Sequence, residues 1–206
     1  MRPTPPRILN AKGGRSFGGS QMWFENKVML NSGCGIVAGC DAVMRLLDED
    51  EFSRDDYMTR LNEATTFIRP IMLPFKMKPL IIAGQEFLGS FGVSPGRFKR
   101  GVRKLSKAHG IEVKIKGLGP VYKKKLPQYL ESGVPVAMLM AAPFTPVRLV
   151  SETGHEERAQ FHWVTVTGFD GEKFTVSSWG NKYTIDLKDI KKFGSAVALY
   201  AVLPKD

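Results

Sequence analysis

The sequence predicts an α+β protein, and three observations carry that expectation. Apolar residues recur at helical spacing between about residues 31 and 110, and the pattern changes to strand-like alternation from Ile111 onward. Asp170-Gly171, set between two alternating runs, is a hairpin signal that makes those strands antiparallel. Helices in the first half and strands in the second form two parts of one domain, about 21–206, that face each other. At 206 residues the chain is long enough to bury a core without staples, and its composition is that of a globular protein.

Residues 1–20 are rich in Pro, Gly and Arg without periodicity and read as a flexible basic arm. Gln21-Met22-Trp23-Phe24 reads as a short strand or an ordered approach to the next element. Asn31-Ser32-Gly33 is a capping-competent run ahead of an apolar stretch, so a helix starts at Cys34 and runs to about Asp48, where Asp48-Glu49-Asp50-Glu51 marks an exit. Ser53 with Asp56 has the form of a capping box, and Tyr57, Leu61 and Ala64 continue at helical spacing until Pro70 ends the segment. The stretch Leu80 to Phe91 reads as helical, weakened by Gly84, and Gly92 follows it. Arg97 to Ala108 is a clear helix with Phe98, Val102 and Leu105 on one face and cations on the other; His109-Gly110 closes it, with His109 a cap residue.

In the second half, Ile111 to Lys116 alternates as a strand, Lys123 to Ser132 reads as a short helix, and Val134 to Met140 is a buried strand. Residues 141–159 form a long irregular connection carrying His155, of the kind that borders a cleft. Phe161 to Thr167 and Lys173 to Ser178 form the hairpin, Tyr183 to Leu187 adds a strand, and Ser195 to Leu203 is the last.

Cys34 is the residue with the most chemistry. The two cysteines are six positions apart, and on one helix their α-carbons would be about 9 Å apart, beyond disulfide reach, so Cys34 is a free thiol. At a helix start, unpaired N–H groups and the dipole favour its thiolate, and Gly33 and Gly35 leave the sulfur bare to an approaching carbonyl. The opposing reading is packing, since a buried cysteine between glycines is also a close-contact motif. The hairpin favours the nucleophile. With Asp170 and Gly171 as the central turn residues, His162 faces Trp179 and Val164 faces Ser177. Ser177 then lies roughly 7–8 Å from His162 between backbones, on the same sheet face, where it orients the imidazole while Trp179 shields the contact from water. A three-residue loop would shift the register by one and bring Ser178 there instead. The three histidines are scattered, without metal-site spacing to the cysteines, and no cofactor is expected.

Gly33-Cys34-Gly35 at a helix start, Leu130-Glu131-Ser132-Gly133-Val134-Pro135-Val136 before a strand, Phe161-His162-Trp163-Val164 on the next and Ser177-Ser178-Trp179-Gly180 after it resemble the papain-like cysteine peptidase superfamily. The nearest branch is the bacterial, double-glycine (bacteriocin-processing) peptidase-like one. The resemblance implies a papain-like α+β fold, with an N-terminal helical part carrying the Cys helix packed against a C-terminal antiparallel sheet. It also implies a cysteine peptidase or amide-bond hydrolase acting on a peptide or protein. Cys34 would be the nucleophile, His162 the base that later protonates the leaving group, and Ser177 the third catalytic position. The oxyanion would be held by the Cys34 N–H and a side-chain amide. The usual glutamine position is Val28, so Gln21 across a longer loop, or Asn31, would supply that amide. The third position is normally Asn or Asp, and serine supplies no negative charge; Asp170 sits too far along the hairpin to replace it. An acidic residue elsewhere would have to assist, or the site is inactive and the protein is a binding module.

The net charge of +10 collects in the N-terminal tail and between Arg97 and Lys125. Such a surface attracts an acidic polypeptide or nucleic acid, though the basic helix lacks the interleaved aromatics of a nucleic-acid-binding element. The first residues lack the apolar core of a signal peptide and no apolar run approaches the ~18 residues of a membrane span, so a cytoplasmic location is expected.

Overall fold

The computed structural model describes residues 5–9, 13–72, 80–82, 85–87, 90–119, 122–142, 146–192 and 196–205. The expected flexible arm is ordered over its described residues. Strand β1 (Arg7–Leu9) pairs in parallel with β2 (Glu51–Ser53), placing buried Ile8 opposite Phe52. Pro5, Pro6 and Gly18 to Ser20 are buried as well. A three-residue strand leaves no periodicity to read, so only its contacts reveal it. Gln21–Trp23 is a turn of 3₁₀ helix, capped by Ser20 Oγ accepting from the Met22 N–H at 3.2 Å.

Two helices then follow in direct succession. Helix α1 (Lys27–Ser32) is capped by Asn26, whose Oδ1 accepts from Val28 and Met29, and α2 (Cys34–Leu46) starts after the single hinge residue Gly33. The run expected to cap the Cys34 helix is therefore the last turn of α1, and α2 has no side-chain cap. Asp48, in the left-handed region at φ 55°, follows the end of α2. Helix α3 (Arg54–Phe67) has the expected capping box: Ser53 Oγ accepts from the Asp56 N–H at 3.1 Å and donates to Asp56 Oδ2 at 2.6 Å.

The expected helix at Leu80 to Phe91 is absent among the described residues of that stretch. In its place β3 (Leu80–Ile82) and β4 (Gln85–Phe87) pair antiparallel; Leu-Ile-Ile suits a strand as well as a helix, and the segment is too short for period to decide. Helix α4 (Pro95–Ala108) is capped by Ser94 and closed by His109, which also contacts Glu63 at 3.1 Å. Gly101 of α4 lies against the end of α3, where an added Cβ would stand 2.7 Å from the Phe67 carbonyl oxygen and 2.8 Å from Ile68 Cα. Those are backbone atoms and do not yield, so overpacking of about 1–3 kcal/mol exceeds the helix-propensity gain of about 1 kcal/mol. Gly101→Ala is expected to lower the denaturant midpoint.

The remaining elements are β5 (Val113–Gly117), α5 (Tyr122–Glu131), β6 (Val136–Ala141), β7 (Val147–Ser151), β8 (Glu156–Ala159), β9 (His162–Phe169), β10 (Lys173–Ser178), β11 (Asn181–Asp186), α6 (Leu187–Lys192) and β12 (Ala196–Pro204). Their strands form one antiparallel eight-stranded sheet in the order β5-β12-β6-β9-β10-β11-β7-β8. The connection expected to be irregular at 141–159 thus contains a hairpin, β7 with β8. Alternate residues of the central strands enter two cores. Ala137, Trp163 and Val202 pack with α2, α3 and α4, whereas Val136, Met138 and Ala201 pack with α5 and α6. Burial on both faces explains the unbroken apolar run of β6. No helix among the described residues is long and apolar enough to cross a membrane.

Candidate active site

The helix carrying Cys34 and the strand carrying His162 meet because Gly35 lets them. A Cβ at Gly35 would stand 2.7 Å from Val93 Cβ and 3.0 Å from Trp163 Cδ1, so the glycine seats α2 on β9. Gly33 is packed too, 2.7 Å by the same measure from Phe24 Cε2. Both glycines serve helix packing rather than baring the sulfur to a substrate. Trp163 fixes the strand from the other side: its Nε1 donates to the Val93 carbonyl at 2.7 Å and its ring stacks on Phe98 at 4.2 Å.

Cys34 is 8% exposed and borders a cleft of about 360 Å³, lined also by Gln21, Asn31, Ser90, Arg158, His162 and Trp179. The N–H groups of Trp163, Gly35 and Cys34 itself favour its thiolate, as expected at a helix start, but burial outweighs them and raises the thiol above its ordinary value. Burial also holds His162 neutral, pushed down to about 4. The resting pair is thiol and imidazole rather than thiolate and imidazolium.

The hairpin register decides which serine meets the histidine. Phe169 pairs with Phe174 and Gly168 with Thr175, so the turn is centred on Gly171-Glu172, one residue later than expected; Asp170 Oδ1 accepts from both the Glu172 and Lys173 N–H groups there. A bulge at Thr167 returns part of the shift, and beyond it Val166 pairs with Val176 and Thr165 with Ser177. The net displacement of one residue exchanges the serines. Ser178 Oγ lies 2.8 Å from His162 Nε2, while Ser177 Oγ donates to the Phe17 carbonyl at 2.6 Å and does not orient the imidazole. Trp179 stacks on His162 at 4.5 Å. With Gly180 it forms the two-residue turn into β11, and it takes φ 49°, a costly conformation for a bulky side chain that its packing on His162 and Tyr183 holds in place.

Gln21 and Asn31 both reach the cleft wall. The Gln21 amide nitrogen donates to the Leu30 carbonyl at 2.7 Å, and its buried Oε1 has no partner among the described residues. Asn31 is exposed at the rim. His155 is exposed on the β7–β8 hairpin, 3.0 Å from Glu157, and does not line the cleft.

One buried carboxylate, Asp41, lines the same part of the site, and the sequence reading passed over it. It stands seven residues after Cys34 on α2, is 2% exposed, and accepts from the Tyr57 hydroxyl at 2.5 Å and the Gly19 N–H at 3.2 Å. Burial raises it to about 7 against those hydrogen bonds. A void of about 10 Å³, room for one water, touches Asp41, Cys34, His162, Ser177 and Ser178 together. One signal was legible: a carboxylate inside the otherwise apolar run Gly35 to Met44, on the face of Cys34 two turns on. No family model, curated protein or solved structure matches the chain.

Proposed function

We propose that the protein is a cysteine-dependent amide hydrolase of papain-like arrangement, with a peptide or protein as substrate. The observation that carries this reading is the meeting of Cys34 at the first turn of α2 with His162 at the start of β9 in one cleft, His162 Nε2 being held by Ser178. A proton on Nε2, donated to Ser178 Oγ, leaves Nδ1 as the base. The thiol passes its proton to Nδ1 as the sulfur attacks the carbonyl carbon. The tetrahedral oxyanion faces the Cys34 N–H, collapse forms the thioester, and the amine leaves with the Nδ1 proton. Water, giving a proton to the same nitrogen, then releases the acid and the free thiol.

The imidazolium formed in each half donates to Ser178 Oγ, and Asp41 lines the same small void as His162 and Ser178. At neutral pH the carboxylate is partly ionised, about as a group at 7 must be. Two features favour an inactive binding module instead: the Gln21 amide is committed to Leu30, and both reactive groups rest neutral.

Quenched peptide pools separate the two. Cleavage by the natural chain and none by Cys34→Ala supports the hydrolase, and no cleavage by either supports the module. Within the hydrolase reading, Ser178→Ala is expected to lower kcat by about tenfold to a hundredfold, whereas Ser177→Ala loosens residues 17–19 and leaves kcat within about threefold. The reverse order would assign the orienting role to Ser177.

A further inference from the structure

The cleft beside Cys34 is electrostatically one-sided. Among the described residues its polar lining is Gln21, Asn31, Ser32, Ser90 and Gln160, all uncharged, together with one permanent charge, the guanidinium of Arg158 on β8. No carboxylate lines it among the described residues.

Arg158 stands directly across from Arg148 on β7. Like charges at opposite positions of an antiparallel pair repel. Arg148 is compensated, with Glu156 at 3.0 Å and Asp189 at 3.2 Å. Arg158 is exposed and has no carboxylate partner among the described residues. Glu156 and Asp189 both serve Arg148, and Glu157, beside Arg158 in the chain, pairs with His155, so the cation on the cleft side is left to whatever enters. A guanidinium presents a fork that matches a carboxylate in two parallel hydrogen bonds, and the Gln160 and Asn31 amides add donors along the same cleft. The net charge of +10 favours encounter with acidic chains at longer range.

We propose that the cleft takes a peptide bearing a carboxylate close to the bond presented to Cys34, and that Arg158 is the residue that selects it. Cleavage of that bond rests on the hydrolase reading; binding of the carboxylate does not. An acidic side chain and a free chain terminus offer the same chemistry, and matched peptides distinguish them.

The test is fluorescence anisotropy on the full chain carrying Cys34→Ala, so that nothing is consumed. The peptides are matched sets with Glu, Gln or Lys at each position, with the C-terminus free or amidated. At low salt the Glu peptides are expected to bind about tenfold more tightly than their Gln counterparts at one position. Adding Arg158→Gln is expected to erase that difference, and Arg158→Glu to turn it toward Lys. A Glu preference that survives amidation assigns the carboxylate to a side chain, and tighter binding of free-acid than of amidated peptides, alike for Glu and Gln, assigns it to a terminus; either supports the proposal. Equal binding of Glu and Gln peptides together with no gain from a free C-terminus, or a preference unchanged by Arg158→Glu, overturns it. Parallel cleavage assays with Cys34 intact keep the two readings apart. Charge preference without cleavage removes the hydrolase and keeps Arg158, and cleavage without charge preference does the opposite.

Discussion

Asp41→Asn is expected to lose stability on acidification more steeply than the natural chain, while His162→Ala is expected to change in the opposite sense. Both groups are buried, and burial moves each toward its neutral form from opposite sides of the pH scale. His162 falls from 6.5 to about 4 on folding. Between those values the unfolded chain binds a proton that the native chain refuses, so stability present above 6.5 is lost as pH falls, by about 3 kcal/mol. Asp41 rises from 3.8 to about 7. Here the native chain keeps a proton that the unfolded chain has released, so its contribution is full below 3.8 and is lost as pH rises through 7, by about 4 kcal/mol. In the natural protein the two nearly cancel across this window. Each substitution exposes the other slope. The groups facing Asp41 are the Tyr57 hydroxyl, the Gly19 N–H and the Cys40 thiol, and Tyr57 and Cys40 are both held neutral by burial, so neither adds a step in the range. Urea unfolding from pH 4 to 7, taken as the difference from the natural chain, should fall toward acid for Asp41→Asn and climb for His162→Ala. Two flat differences, or two of the same sign, would contradict the burial of one or both groups.

The fold was legible where period or capping chemistry ran long enough to be unambiguous. Ser53 with Asp56 announced α3, the spacing of Phe98, Val102 and Leu105 announced α4, and alternation announced β9 and β10. It was not legible where a short segment took its structure from contacts: β1 exists because Ile8 buries against the β2 strand, and α1 because Asn26 caps six residues that show no apolar stripe. The site divides in the same way. Cys34, His162 and Trp179 follow from local patterns. Ser178 depended on a turn centre and a bulge that together move the register by one residue, and side-chain period in a strand makes one residue decisive. Asp41 was hidden by context: only burial distinguishes this carboxylate from a surface one, and burial is set by the packing of α3 and of residues 17–19 around it.

The second large effect concerns Cys34 itself. The reactive thiolate–imidazolium pair is a proton tautomer of the resting thiol–imidazole pair, so its population does not change with pH between the ionisation of His162 near 4 and that of the raised thiol. Without His162, reactivity must follow the small fraction of free thiolate, which grows tenfold with each pH unit below the thiol's own value. Cys40, 0% exposed on the same helix, is the internal control. The decisive measurement is the alkylation rate of each cysteine with iodoacetamide from pH 5 to 8, resolved by peptide mass spectrometry, in the natural chain and in His162→Ala. The expected result is a flat Cys34 rate in the natural chain, a rate that climbs with pH and lies about a hundredfold lower near pH 6 in His162→Ala, and silence from Cys40 in both. A Cys34 rate that climbs tenfold per pH unit in both proteins would mean that the thiol and the imidazole do not act as a pair, and that Cys34 is a packed cysteine in a binding cleft.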